Sequence, residues 1–143
     1  MEKLFVNYLT SLYQNVNVAL QSIEDLMPKI EDETLRKELS NEYATYDILA
    51  RECEMLGKSE DIDLKENNWF EKVKLWGSIN MSTLTDKSTR HITEMMLLGT
   101  VMGLIQCLKD KKDYRAVSND IDDLCQKIAD FEEECYQRLK NYI

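Results

Sequence analysis

The chain has 143 residues with a net charge of -9, which suits one domain with a hydrophobic core. So acidic a sequence, with a pI near 4.7, lacks the basic surface that nucleic acid requires, and an anionic membrane is disfavoured for the same reason. One proline and four glycines argue for long uninterrupted helices and against an all-β fold with many turns.

The first predicted helix runs from about Lys3 to Met27. Phe5, Leu9, Leu12, Val16, Leu20, Ile23 and Met27 recur at steps of three and four, which places them on one helical face. Pro28 and the polar run after it end the element. This N-terminal stretch is amphipathic and lacks the continuous apolar core of a signal peptide, so the cytoplasm is the expected location.

A second helix starts near Asp32 or Glu33, where acidic residues suit the positive helix end. Its stripe is Leu35, Leu39, Tyr43, Tyr46, Leu49 (or Ala50), Cys53 and Leu56. Gly57 stands where a left-handed C′ residue would end it. The link between the first two helices is short, which makes them antiparallel neighbours.

Residues 58 to 68 read as a polar connection. Trp69, Phe70, Val73 and Trp76 then return to helical spacing and form the best candidate for a docking patch, because aromatic side chains anchor interfaces. Capping this bundle's own core is the alternative role for them. The third bundle helix is expected from about Asp86 to Leu108. Ile92, Met95, Leu98, Met102 and Ile105 are its apolar face, and Leu97, Val101, Leu104 and Leu108 widen it enough to suggest burial on two sides. Its uninterrupted apolar run, residues 95 to 108, falls short of the ~20 residues of a membrane span. Gly99 and Gly103 allow close helix approach.

Residues 109 to 116 form the next turn. The last helix carries Val117, Ile121, Leu124, Ile128, Phe131, Cys135, Leu139 (or Arg138) and Tyr142 on one side. The run Glu132, Glu133, Glu134 reads as solvated surface. Four helices with short links give an all-α, up-down-up-down antiparallel bundle, with an extra helical stretch before the third helix. Residues 68 to 109 as one continuous helix would span about 63 Å, against roughly 35–40 Å for the others. A bend between Gly77 and Thr85 is therefore expected; an overhanging helix would instead call for a second copy of the chain.

Four cysteines, Cys53, Cys107, Cys125 and Cys135, form no CxxC pair. A zinc ribbon or thioredoxin-like motif is thereby excluded, and free core thiols are expected. Phosphate-binding glycine loops are absent, and a pairing of His91 with Cys53 or Cys135 lacks an oxyanion loop.

Four helices with acidic and tyrosine residues near their centres, "NEYATYD" in the second and "RHITE" in the third, resemble the ferritin-like superfamily, in particular its small bacterial bundles. The resemblance implies carboxylates from two helices and a Glu-x-x-His motif from each of the other two. This chain has no Glu-x-x-His, and His91 is its one histidine, so a two-histidine di-iron set cannot form within one subunit. The degenerate candidates are Glu42, Tyr46, His91 and Glu94, which meet at mid-bundle only if the third helix begins near Asn68. If it begins near Asp86, His91 instead shares an end layer with Cys53 and Cys135, a donor set suited to zinc. No catalytic residues stand out. The function expected is that of a structural or interaction module, self-associating as a homo-oligomer or docking another protein, with no cofactor; a ferritin-like protein holding iron or zinc is the alternative.

Overall fold

The structure, a computed structural model, describes residues 2–66 and 88–143. It is helical throughout these residues, with no strand among them. Helix α1 covers Glu2–Leu26, α2 Glu33–Ser59, α3 Thr89–Asp113 and α4 Asn119–Leu139. Short 3-10 turns follow α1 (Met27–Lys29), α2 (Leu64–Glu66 after a bend) and α4 (Lys140–Tyr142). The stretch that carries Trp69, Phe70, Val73 and Trp76, with the expected extra helical segment and bend, lies outside the described residues.

Three helices start on side-chain caps. Asp32 accepts from Leu35 N at 2.8 Å, Ser88 from His91 N at 3.2 Å and Ser118 from Ile121 N at 3.2 Å. Each satisfies an amide that has no partner inside the helix. The Ser88 cap fixes the start of α3 three residues after the expected Asp86. At its other end α3 runs past Leu108 to Asp113. Asp110 is buried there, held by Ser11 (2.7 Å) and Gln106 (2.9 Å), so the charged turn stays helical.

Gly57 is not the C′ residue of α2. The helix continues to Ser59, and Asp61 takes the left-handed conformation, at φ 61°. Ile62 N then donates to Gly57 O (2.8 Å) and Asp61 N to Lys58 O (3.0 Å), the two bonds of a Schellman ending. The glycine serves the return of the chain. A Cβ on it would lie 2.9 Å from Ile62 O and 3.4 Å from Leu64 Cγ.

Side-chain bonds fix the helix directions. Tyr13 bonds Glu54 and Tyr43 bonds Glu24, so α1 and α2 are antiparallel. Ser11 bonds Asp110, whereas Asn15 reaches back to Gly103, so α1 and α3 are also antiparallel. Glu52 pairs with Lys127 and Glu38 with Arg138, so α2 and α4 are antiparallel as well. The order is up, down, down, up. The expected up-down-up-down alternation is wrong at the third helix, because α2 ends at one end of the bundle and α3 begins at the other.

The core is built mostly by α1, α2 and α4. Leu9, Leu12, Val16 and Ile23 meet Leu35, Leu39 and Leu49 across one seam, and Ile121, Cys125, Ile128 and Leu139 close it from α4. Helix α3 differs. Its buried residues are Ile92, Thr93, Met96, Thr100, Cys107 and Asp110. Of the face expected inside, Ile92 alone is buried; Leu98 (67%), Met102 (52%) and Ile105 (46%) are exposed, as is Leu108 (60%). Helix α3 is long and apolar enough to cross a membrane by length and composition, a property missed by measuring only its uninterrupted run, and 28% of its most apolar stretch is buried.

Candidate functional site

Each helix sends one polar side chain into a common layer near the bundle's middle: Asn15 from α1, Tyr46 from α2, Cys107 from α3 and Glu132 from α4. Asn15 Nδ2 donates to Gly103 O at 3.0 Å and lies 3.3 Å from Cys107 Sγ and 3.5 Å from Glu132 Oε1. Cys107 Sγ stands 3.6 Å from the same Glu132 oxygen. Tyr46 is 1% exposed, with Phe131 edge-on at 4.9 Å.

Glu132 is 1% exposed. Burial pushes its carboxyl up to about 8, against the opposing pull of the Cys107 and Asn15 donors. It is therefore largely neutral at pH 7, which lowers the cost of placing it inside. Burial likewise holds the Tyr46 phenol well above its ordinary value.

A second buried carboxyl lies one turn away. Among the described residues, neither oxygen of Glu42 meets a partner in good hydrogen-bond geometry, and the residue is 1% exposed. Burial, reinforced by the neighbouring Glu38, pushes it up to about 9. Glu38 itself pairs with Arg138 at 3.0 Å.

The four metal candidates separate. Glu42 and Tyr46 sit inside α2, whereas His91 and Glu94 occupy the first turns of α3, half exposed, with His91 Nδ1 3.8 Å from Glu94 Oε2. Because α2 and α3 run the same way, Cys53 lies at the end of the bundle opposite His91, so the end layer of His91, Cys53 and Cys135 does not form. Among the described residues, no group of three His, Cys, Asp or Glu side chains is placed to hold a metal. With its one histidine on the surface, the chain does not fit the ligand set that the ferritin-like resemblance implies. All four cysteines are buried and free.

Above the polar layer, a cavity of about 500 Å³ opens between α1 and α3. Its walls include Val18, Ala19, Met95, Met96, Leu98 and Met102, and its floor Asn15, Gly103 and Glu132. Glu132 was missed because its run looked solvated, but it lies four residues after Ile128 and three before Cys135, on the buried stripe. Glu42 shows the same signal, midway in the series Leu35, Leu39, Glu42, Tyr46, Leu49. Asn15 carries no such mark.

Comparison with family models, with curated proteins and with solved structures gives no match.

Proposed function

We propose that the protein is an interaction module that associates with a second copy of itself through the outer face of α3. The supporting observation is the row Met95, Leu98, Met102, Ile105. Its steps of three, four and three repeat the spacing of a two-helix seam, and its last three members are exposed. Leu108 extends the patch. A row of this kind on one copy matches the same row on another about a two-fold axis.

Charge favours the same place. Two chains of net charge -9 repel, but residues 95 to 108 contain no charged side chain. Gly99 leaves open space above the helix, with nothing within 4 Å of a Cβ built there, so a partner helix can approach.

The bundle is ferritin-like in its connections under this reading. Short links join α1 to α2 and α3 to α4, and the connection from α2 to α3 starts at one end and finishes at the other, as in bundles with a single long crossover. The fold would then persist without the metal set, and the cytoplasm is its proposed setting.

Light scattering on the wild type should give twice the 16.8 kDa chain mass. Leu98→Asp should give the single-chain mass with unchanged helicity, since Leu98 makes no core. A wild type that stays at 16.8 kDa at high concentration, or that floats with neutral phosphatidylcholine vesicles instead, would overturn the reading.

A further inference from the structure

The cavity between α1 and α3 has a volume of about 500 Å³, within the range of roughly 300–1,000 Å³ that small-molecule sites occupy. Its walls are mainly apolar. The methionines Met95, Met96 and Met102 are unbranched and adapt to varied ligand shapes.

Its floor is more specific. A Cβ on Gly103 would collide with Glu132 Oε2 and stand 2.7 Å from Asn15 Oδ1. Glu132 Oε2 and Asn15 Oδ1, from different helices, therefore converge over bare α3 backbone, and they are two acceptors once the carboxyl is ionised. Asn15 turns its donor nitrogen away from this point, to Gly103 O and Cys107 Sγ. The Glu132 hydrogen bonds from Asn15 and Cys107 go to its other oxygen, Oε1. Among the described residues, no lysine, arginine or histidine pairs with Glu132. Tyr46 also bonds Glu132, so what the floor lacks is positive charge, which a buried carboxylate needs.

We propose that this cavity binds a small amphipathic amine, with its alkyl chain along the methionine wall and its ammonium group between Glu132 Oε2 and Asn15 Oδ1. An ammonium carries three donors and the missing charge, and charge-assisted hydrogen bonds are the strong ones. An alcohol brings one donor and no charge, and a carboxylate would meet Glu132 as a like charge. The site shares Met95, Leu98 and Met102 with the proposed pairing row, so a bound amine and a second copy of the chain compete for that face.

Binding also moves a proton. The Glu132 carboxyl must ionise to pair with an ammonium, and its proton leaves to solvent. The other titratable groups facing it are Tyr46 on α2, Cys107 on α3 and Cys125 on α4. Burial holds Tyr46 up, and the partner thiol Cys125 together with burial holds Cys107 up. Neither of those two is a proton source below pH 8.

Calorimetry with n-octylammonium, 1-octanol and octanoate at pH 6.5 tests this. The amine should bind saturably, one per chain, about tenfold or more tighter than the alcohol, and octanoate should give no saturable heat. Repeating the titration in buffers of different ionisation enthalpy should show close to one proton released per amine. Glu132→Gln should abolish that release and weaken the amine about tenfold or more, with little effect on the alcohol. Gly99→Leu fills open cavity space and replaces glycine by a better helix former, so it should block all binding in a folded chain. Equal affinity for amine and alcohol, no proton release, an unchanged Glu132→Gln, or undiminished binding to a folded Gly99→Leu would each overturn the proposal.

Discussion

Helices α3 and α4 are antiparallel neighbours with opposite habits. Helix α4 turns Ile121, Leu124, Ile128 and Leu139 inward and leaves Asp123, Asp130, Glu133 and Glu134 in water. Helix α3 turns Thr93, Thr100, Cys107 and Asp110 inward and leaves Leu98, Met102, Ile105 and Leu108 outside. Burying apolar surface drives folding, so α4 contributes chiefly to stability. Helix α3 buries Ile92 and Met96 but leaves Leu98, Met102, Ile105 and Leu108 exposed, and extended apolar patches mark contact surfaces. Gly103 and Cys107 on its inner side leave room for the polar layer around Glu132, and the cavity beside it is walled by Met95, Met96, Leu98 and Met102.

The comparison is sharpest under truncation. Ile128→Ala on α4 removes a fully buried side chain and should cost about 2–5 kcal/mol of unfolding free energy in a urea titration. Leu98→Ala on α3 should stay within about 0.5 kcal/mol for the single chain. Equal losses at the two positions would mean that α3 carries core packing on its outer face, and the division of roles would fail.

The next effect tests the exception within α4. Glu132 is buried in the polar layer, and burial pushes its carboxyl up from 4.5 to about 8. Below pH 4.5 it is protonated in both the folded and the unfolded chain. Between about 4.5 and 8 the unfolded chain releases the proton and the folded one retains it, so stability falls as pH rises, by up to about 1.4 kcal/mol per pH unit. Above 8 the loss is complete. Glu42 adds a fall of the same sign up to about 9. Glu132→Gln should therefore flatten, without abolishing, the decline in stability measured between pH 5 and 8. A slope unchanged by the substitution would show that the carboxyl is hydrated in the folded state.

These two helices also mark how far the sequence could be read. The stripe of α4, like those of α1 and α2, has one apolar side, and helical spacing alone assigns it to the core. Helix α3 is apolar nearly all round, so spacing cannot tell which side faces in; the inner side is chosen by contacts with Asn15, Ser11 and Glu132 from elsewhere in the chain. Glu42 and Glu132 were legible from position and were obscured by their charge, because a carboxyl on a buried stripe contradicts the usual sorting by polarity. The candidate metal sites depended on helix direction. Alternation placed His91 level with Cys53, but the parallel course of α2 and α3 separates them by the length of the bundle. Nothing local in the sequence records that choice.

The two helices agree at their starts. Ser88 and Ser118 each accept from the amide three residues on, at 3.2 Å. Ser88→Ala and Ser118→Ala should each cost about 1 kcal/mol in thermal or chemical unfolding. Similar losses would place the contrast between α3 and α4 in their side-chain patterns rather than in how firmly each helix begins.

The smallest effect lies in the turn that joins them. Ala116 holds φ at 65°, the left-handed region, where a Cβ crowds the following carbonyl at about 1–2 kcal/mol. The turn keeps this conformation because Val117 N reaches Tyr114 O at 3.2 Å and Ser118 must face the first turn of α4 to cap it. Ala116→Gly removes the crowding but adds freedom to the unfolded chain, which offsets roughly 0.5–1 kcal/mol of the gain. The net expectation is a stabilisation of about 0.5–1 kcal/mol, read as a raised urea midpoint with an unchanged slope. The strain sits in the connection and not in the α3 face or the polar layer, so self-association and amine binding should be as in the wild type. A destabilised Ala116→Gly would mean that the methyl group packs against α3 or α4, and that the turn contributes contacts as well as direction.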